Sequence, residues 1–183
     1  SGTPKSYSSA ADLPLNAYRE KIKKVQINTD TTGVKNMSFW FSGCKNLTYI
    51  NRFPDNVENI KYTFRGCTSL ETVPEIPFTV VNMKATFDGC TALKYIPEYE
   101  AYCVSNWSYT YRNCSSLEFA FVPVSYPVTS IKSMFQGCTN LDAIVIFNGC
   151  IQLKKEECTD LFTDAATAKG KEINLFGLDY SES

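Results

Sequence analysis

The chain contains no histidine, and this absence excludes several classes of function. Histidine is the usual general base near neutral pH and the commonest protein ligand for transition metals. Nucleophile–histidine pairs therefore cannot form within this chain. The sequence also lacks a glycine-rich phosphate loop and the Cys-x-x-Cys pairs that are typical of structural zinc sites. We therefore expect a protein that is not an enzyme, with no catalytic residues, no metal and no cofactor.

A strong charge of either sign and long apolar runs are also missing. The 183 residues carry 18 basic and 19 acidic side chains, for a formal net charge of −1. This balance predicts no overall attraction to nucleic acid. No apolar segment reaches the roughly 20 residues that a membrane-spanning helix requires, so membrane insertion is not expected either. The acidic groups at Glu98, Glu100 and Glu156–Glu157 fit solvated charge and a helix start better than a catalytic pair.

A unit of 23 or 24 residues is repeated along most of the chain. Five segments align without gaps on the pattern V-x-N-[MIW]-x-x-x-[FY]-x-[GN]-C-x-x-L-x-x-[IVA], with Ser130 replacing the Asn in the fifth. The cysteines of the pattern, at spacings of 23, 23, 24 and 24, are Cys44, Cys67, Cys90, Cys114 and Cys138. Such a period is typical of repeat proteins, in which each unit is too thin to bury its own apolar face and is stabilised by its neighbours.

Each column of the pattern predicts a structural role. The Asn suits a helix N-cap, and the apolar residues one, five and eight places after it share one helical face. The Gly before the Cys favours a left-handed helix end, and the Leu and Ile that follow predict a short buried strand. In the first copy these positions are held by Asn36, Met37, Phe41, Gly43, Cys44, Leu47 and Ile50. We therefore predict an α/β solenoid with a parallel sheet on one face and short helices on the other.

The two ends depart from the repeat and are expected to be atypical capping units of one domain, 13–178. At the N-terminal end, residues 15–24 predict an amphipathic helix and residues 22–27 a strand. At the C-terminal end, residues 154–169 predict a longer helix and residues 171–175 a final strand. The predicted divisions are a disordered leader at 1–12, an N-terminal cap at 13–33, repeats at about 34–150, a C-terminal cap at 151–178 and a tail at 179–183.

The run F-x-G-C-x-x-L-x-x-I-P, present as FRGCTSLETVP and FDGCTALKYIP, resembles the BspA-type leucine-rich repeat. The V-x-N-M-x-x-x-F part resembles repeats of surface and secreted proteins of gut and oral bacteria and of some prophage tail proteins. The resemblance covers roughly residues 22–150 and implies a right-handed leucine-rich-repeat solenoid. It also implies an extracellular or cell-surface adhesion module that binds a protein or a carbohydrate. The alternative is a structural or receptor-binding segment of a larger modular or phage tail protein.

The eight cysteines allow both disulfides and free thiols. The five cysteines of the repeat occupy equivalent places in successive coils and are predicted to form a ladder of reduced, buried side chains. We expect the helical side of the solenoid to hold them beyond the Cα separation of about 7 Å that a disulfide can span. Cys103 lies between repeats. Cys150 and Cys158 are close in sequence, which is compatible with a bridge and with two free thiols.

Exposed aromatic residues on the strand face are the candidate ligand-binding residues. Because side chains alternate along a strand, the residues on either side of the buried Ile position are expected to point away from the core. They are Tyr49, Thr72, Tyr95, Phe119 and Ala143 on one side and Asn51, Pro74, Pro97, Phe121 and Val145 on the other. Of these, Tyr49, Tyr95, Phe119 and Phe121 are the candidate residues, presented by a monomer. The competing interpretation places some of them in the core, since the prolines can shift which side chains point inwards.

Overall fold

Short parallel strands line one side of the molecule. The computed structural model describes residues 7–28, 31, 33–97, 103–125, 128–148 and 153–176, with the backbone alone for 121, 123, 125, 144 and 146–148. The strands are β1 Lys24–Val25, β2 Tyr49–Ile50, β3 Phe119–Ser125, β4 Asp142–Asn148 and β5 Ile173–Phe176, and the 3-10 helices are η1 Ala10–Asp12, η2 Asn16–Lys21 and η3 Lys155–Glu157. β1 pairs with β2, and β3, β4 and β5 pair in that order, all in parallel.

Single parallel bridges extend the sheet of β3, β4 and β5 back into the third and second coils. Thr72 pairs with Tyr95, and Tyr95 pairs with Phe119. The second and third coils have no longer strand here because Pro74 and Pro97, which have no N–H to donate, follow the bridge by two residues. We call the residues at this equivalent place, one per coil, the sheet face: Lys24, Tyr49, Thr72, Tyr95, Phe119 and Asp142. The predicted parallel sheet is therefore confirmed, in an interrupted form.

The opposite side is built from successive turns and not from the predicted short helices. In the first coil, the Trp40 N–H donates to the Met37 carbonyl over 3.1 Å and the Cys44 N–H to the Phe41 carbonyl over 3.0 Å. The third residue of each turn has a positive φ, 65° at Phe39 and 76° at Gly43, as in type II turns. The same two positions have positive φ in all five coils: Phe39, Tyr62, Ala85, Tyr109 and Ser133, then Gly43, Gly66, Gly89, Asn113 and Gly137.

Hydrogen bonds between coils explain why turns replace helices. We call the segments 37–43, 60–66, 83–89, 107–113 and 131–137 the turn face. On it, alternate N–H groups donate to the next coil; the Met37 N–H reaches the Asn59 carbonyl over 2.9 Å and the Gly43 N–H the Arg65 carbonyl over 2.7 Å. A helix would instead place these bonds within one coil. Apolar residues one, five and eight places after the Asn point inwards in a helix and also in two successive turns. The pattern was therefore compatible with both, and the prediction of a helix was wrong.

The repeated asparagines accept hydrogen bonds from backbone N–H groups at the start of these turns, as they were expected to do at the start of helices. The Oδ1 atom of Asn36 accepts a hydrogen bond from the Ser38 N–H over 2.9 Å, and Asn82 accepts one from the Lys84 N–H over 3.0 Å. This is the Asx-turn arrangement, in which a side chain supplies the acceptor for a backbone N–H two residues later. The asparagine column therefore starts each turn segment.

A column of stacked aromatic rings fills the core. The rings are Phe41, Phe64, Phe87, Tyr111, Phe135 and Phe162, with successive centroids 5.6, 5.7, 5.8, 5.4 and 5.8 Å apart. The last of them, Phe162, belongs to the segment that was predicted to form the C-terminal helix. That prediction is wrong. Beyond the three residues of η3, this segment forms a sixth coil, in which Asp160 and Asp164 have positive φ and Leu161 accepts from the Phe135 N–H over 3.0 Å. The predicted helical stripe therefore continues the repeat.

The N-terminal cap is also less helical than predicted. The expected helix over 15–24 is reduced to η2, and the expected strand over 22–27 to β1. Arg19 of η2 donates to the backbone carbonyls of Ser42 and Ala10, so the cap closes over the first coil. Ala10–Asp12, within the predicted leader, forms η1 because the Asp12 carboxylate accepts from the backbone N–H of Ser9. Residues 1–6 and the predicted tail at 179–183 lie outside the described residues.

Candidate binding face

The sheet face presents two of the four candidate aromatic residues to solvent. The side chains of Tyr49 and Tyr95 are exposed, at 51% and 48%, and Phe119 is half-buried. Phe121 lies in β3, where its backbone pairs with Ile144, and its side chain is outside the described part of the structure. The structure therefore brings Tyr49, Tyr95 and Phe119 into one row.

The spacing of these rings follows from the rise of the coils. Paired strands lie about 4.8 Å apart, so Tyr95 and Phe119, which are paired directly, stand side by side. Tyr49 and Tyr95 belong to the first and third coils and are separated by about twice that distance. Thr72 of the second coil, with its shorter, exposed side chain, lies between them. The row thus has a gap between two rings, followed by a pair of adjacent rings.

Charged residues border this row on the side where each strand begins. Lys94 forms an ion pair with Glu71 over 3.3 Å, and Lys171 forms one with Asp142 over 2.9 Å. The backbone N–H of Glu172 and the ammonium group of Lys171 hold the pKa of Asp142 below its ordinary value. Asp142 is itself the last member of the row, so its carboxylate ties the C-terminal cap to the sheet face.

The fifth coil departs from the predicted register by one residue. Phe119 pairs with Asp142, and Ala120 pairs with Ala143, so Ala143 belongs to the buried column and not to the sheet face. Ala143 is 1% exposed, and Val145, also expected to point outwards, is 2% exposed. The reason is a shorter corner: the strand alternation starts directly at the buried Leu141, two residues before Ala143. The placement of Ala143 and Val145 on the outer surface is therefore wrong.

The ladder cysteines are buried free thiols, and those of the second to fifth coils donate a hydrogen bond to the backbone of the preceding coil. Cys44, Cys67, Cys90, Cys114 and Cys138 are all free and fully buried. The Cys67 thiol donates to the Phe41 carbonyl over 3.1 Å, and the Cys138 thiol to the Tyr111 carbonyl over 2.9 Å. The expected wide separation on this side is wrong, because backbone hydrogen bonds join the coils there as well. Burial raises the pKa of Cys138 to about 12, so these thiols are poor nucleophiles near neutral pH.

The remaining cysteines lie near the surface or outside the described part. Cys103 is an exposed free thiol, and Cys158 is a half-buried free thiol of the sixth coil. Cys150, its suggested partner, lies outside the described residues. Within residues 7–28, 31, 33–97, 103–125, 128–148 and 153–176, no group of three or more Cys, Asp or Glu side chains could hold a metal ion. No helix of this part of the chain is long and apolar enough to cross a membrane.

A second cluster, on the turn face, was missed by the sequence reasoning. Asp88 is buried there, and the guanidinium groups of Arg65 and Arg112, one coil to either side, donate to its carboxylate. The three residues occupy the same place, six residues after the Asn, in successive copies of the repeat. The alternation of positive and negative residues in this column of the repeat is the sequence signal from which the cluster could have been predicted.

Comparison with protein families identifies the repeat. A family model described as the BspA-type leucine-rich repeat region matches the chain in six copies, over residues 15–97 and 38–161. The chain belongs to this BspA-type family. The BspA-type match extends past the five aligned segments into both predicted caps, in agreement with the coil-like structure of residues 153–176.

A solved structure supports the same fold for this BspA-type chain. The leucine-rich repeat protein of T. pallidum (TpLRR) is similar to it with a TM-score of 0.55 and 21% sequence identity. The similarity covers 81% of this chain and 74% of that one. At this level of identity the likeness shows the fold alone. No curated protein matches the chain.

Proposed function

We propose that this chain is a non-enzymatic binding module that holds a protein or carbohydrate ligand against its sheet face. The proposal also takes it to act as a monomer, outside the cell or at the cell surface, in a right-handed solenoid. The observation that carries it is the row of Tyr49, Tyr95 and Phe119. Five other aromatic rings are stacked in the buried core and Phe162 continues the stack. Two rings of the row, by contrast, stay about half-exposed, and each is held on paired backbone.

Tyrosine is well suited to such a surface. Its ring provides a large apolar contact area with only two rotatable side-chain bonds, so little conformational entropy is lost when a ligand orders it. The hydroxyl group adds a hydrogen-bonding end. The gap over Thr72, between the rings of Tyr49 and Tyr95, suits one apolar side chain or one sugar ring, and the adjacent pair of Tyr95 and Phe119 suits a flat contact.

Two further observations support the proposal. Repeat solenoids generally use an extended face as a binding surface, and this chain belongs to a family of such repeats. Parallel strands joined by a crossover connection are right-handed in about 98% of cases, and β3, β4 and β5 are parallel. Membership of the BspA-type family supports the location outside the cell.

The test is a double variant of the row, Tyr49→Ser with Tyr95→Ser, against a matched control, Tyr18→Ser with Phe78→Ser. All four side chains are exposed aromatics, but Tyr18 lies in η2 and Phe78 in a turn after the second coil's bridge. Wild-type protein is first screened on a printed glycan array and on immobilised extracellular-matrix proteins. We expect every strong signal from a protein or an uncharged glycan to fall about tenfold or more in the row variant, since hot-spot aromatics contribute about 2 kcal/mol or more, and to survive in the control.

Urea unfolding of each variant separates binding from folding. The four side chains are about half-exposed or more, so their loss is expected to change the free energy of unfolding by no more than about 0.5 kcal/mol. If the row variant folds normally and binds as well as the wild type, the sheet face is not the binding surface and the proposal fails.

A further inference from the structure

Positive charge is concentrated on the turn face, although the whole chain has a net charge of −1. The five segments that form this face contain a single acidic residue, Asp88, and five basic ones, Lys61, Arg65, Lys84, Arg112 and Lys132. The coil-to-coil bonds of the backbone place equivalent residues of successive copies side by side. The surplus charge therefore forms a strip along the axis of the solenoid, on the side opposite the aromatic row.

The single carboxylate is used to position two of the cations. Asp88 is 5% exposed, and it accepts hydrogen bonds from Nε and Nη2 of Arg112 over 2.9 and 2.7 Å and from Nε of Arg65 over 3.2 Å. These bonds raise the pKa of Arg112 above its ordinary value. Within the described part of the chain, Nη1 of Arg112 and both terminal nitrogens of Arg65 form no further hydrogen bond. Each guanidinium group thus keeps donors for another partner.

Aromatic rings fix the orientation of the same guanidinium groups. The centre of the Arg112 guanidinium lies 4.7 Å from the centroid of the Tyr109 ring, and that of Arg65 lies 5.9 Å from the centroid of Tyr62. The ring of Tyr62 is in turn stacked on Phe39, with centroids 4.8 Å apart. A guanidinium held by a carboxylate and a ring loses little entropy when an anion binds to its free edge.

The lysines of the strip are not neutralised by neighbouring acids. Among the described residues, the ammonium groups of Lys61, Lys84 and Lys132 form no ion pair and no hydrogen bond. A neighbouring cation of this side, Lys35, is paired with Glu58 over 2.6 Å and adds no surplus charge. The strip therefore offers three free ammonium groups and the outer edges of two oriented guanidinium groups.

We propose that the turn face is a second binding site, distinct from the sheet face, and that its ligand is a linear acidic polysaccharide. The guanidinium group of arginine can donate two parallel hydrogen bonds to two oxygens of one carboxylate or sulfate group. Each of the second to fifth coils carries at least one cation, at one of two equivalent places, so the cations follow one another with the rise of the coils, about 4.8 Å, which suits a polymer that carries its charges on successive sugar units. The strip binds this polymer through charge, and a ligand on the sheet face leaves it accessible.

The composition of the face favours this class over other polyanions. In the described part of the chain, none of the exposed large apolar side chains lies in the five segments of the turn face. The aromatic core of a protein interface and the apolar anchor of a membrane-bound surface are therefore missing there. The rings of Tyr62 and Tyr109 are covered by arginine and Phe39, so they are not free to stack on the bases of a single-stranded nucleic acid.

The test measures binding of the whole folded chain to two immobilised probes, heparin, which carries sulfate, and hyaluronan, which carries carboxylate alone. The variant is Lys61→Gln, Lys84→Gln and Lys132→Gln together. Its matched control, Lys154→Gln, Lys155→Gln and Lys169→Gln, removes the same charge from the exposed surface of the C-terminal coil. We expect the turn-face variant to bind at least about tenfold more weakly to whichever probe the wild type binds, and the control to change by less than about twofold.

A second variant, Arg65→Lys, keeps the positive charge and removes the guanidinium group with its paired N–H donors. We expect it to weaken binding several-fold with little change in the dependence on salt, because the number of cations is the same. Binding to heparin alone would identify sulfate as the recognised group, and binding to both probes would identify the shared anionic chemistry. The variant Tyr49→Ser with Tyr95→Ser is expected to bind both probes like the wild type, which makes this result independent of the sheet-face proposal.

Three results would overturn the proposal. The first is no binding to either probe at low ionic strength. The second is an equal loss in the turn-face variant and its control, which would show an effect of net charge alone. The third is tighter binding to duplex DNA than to both polysaccharides, lost in the same turn-face variant, which would assign the strip to nucleic acid.

Discussion

The two faces of this solenoid differ in how their backbones join the coils. On the turn face, alternate N–H groups of every coil donate to the next coil. On the sheet face, the second and third coils contribute single bridges. The side chains differ in the same sense: the rings behind the turn face are stacked and buried, whereas two rings of the sheet face stand in solvent. The comparison teaches that the turn face joins the second and third coils by more backbone hydrogen bonds than the sheet face does, so we expect its buried side chains to contribute more to stability.

The largest expected difference is between two aromatic residues of the third coil. Phe87 is fully buried, with ring centroids 5.7 Å from Phe64 and 5.8 Å from Tyr111, so Phe87→Ala should lower the free energy of unfolding by about 3–5 kcal/mol. Tyr95→Ala, on the sheet face of the same coil, should lower it by less than about 1 kcal/mol. Urea unfolding of both variants provides the measurement. Equal losses would contradict the division of roles between the faces.

Alkaline pH should act on stability through the buried thiols that directly follow the turn-face segments. Burial raises the pKa of Cys138 from the ordinary 9.0 to about 12, and the pKa values of Cys67 and Cys114 are also raised. Above the ordinary value the unfolded chain loses protons that the folded chain keeps. Stability is therefore fully present below about pH 9 and is lost as pH rises towards 12, by about 1.4 kcal/mol per pH unit for each such thiol.

The measurement is the free energy of unfolding at several pH values above 9, for the wild type and for Cys138→Ala. Tyrosine and lysine also titrate in this range, so the informative quantity is the difference between the two slopes. The variant should have the shallower slope by the contribution of one thiol. Parallel slopes would show that the thiol ladder does not link stability to pH.

Removing a buried charge should cost more than removing an exposed one. Asp88→Ala leaves two guanidinium groups without their shared partner and should lower the free energy of unfolding by about 2 kcal/mol, discounted for the partial exposure of both arginines. Glu58→Ala breaks the pair with Lys35, whose two side chains are 47% and 67% exposed, and should change it by less than about 0.5 kcal/mol. Thermal and urea unfolding test both values, and a larger cost for Glu58→Ala would refute the assigned role of Asp88.

The smallest expected effect concerns the start of a turn. Asn82→Ala removes the acceptor of the Lys84 N–H and should lower the free energy of unfolding by about 1 kcal/mol. Thr72→Ala, at an exposed position of the sheet face, should be neutral within about 0.5 kcal/mol. Asn82→Asp retains an acceptor oxygen and should recover most of the loss. A neutral Asn82→Ala would mean that backbone bonds between coils suffice to hold the turns.

The sequence predicted the buried columns better than the conformation that presents them. Met37, Phe41, Cys44, Leu47 and Ile50 are all in the core as expected, because burial depends on position in the period. The turns could not be predicted from that period, since a helix and two successive turns place the same residues inwards. Positive φ at a glycine was signalled by its residue type, but positive φ at a tyrosine or phenylalanine has no such signal.

The strand register of the fifth coil and the distribution of charge between the faces could not be predicted from the alignment of the repeats either. A gap-free alignment places Ala143 with Phe119, whereas pairing places Asp142 there, because one residue fewer forms the corner after Leu141. Net charge, likewise, sums over all faces and conceals a strip that appears only when successive copies are stacked. The exposed positions of Tyr49 and Tyr95 could be predicted because strand alternation fixes which side they take.

The direction of the bonds between coils has a mechanical consequence. Those bonds run along the axis of the solenoid. Tension applied between the two ends therefore loads the terminal coil first, and each following coil only after the one before it has detached. Each detached coil would release 23 or 24 residues, about 80 Å of extended chain. Single-molecule stretching should show a ladder of equal, low-force steps of that length, and one large cooperative rupture would rule this behaviour out. A solenoid that opens in this way lengthens gradually under load while its remaining coils stay folded.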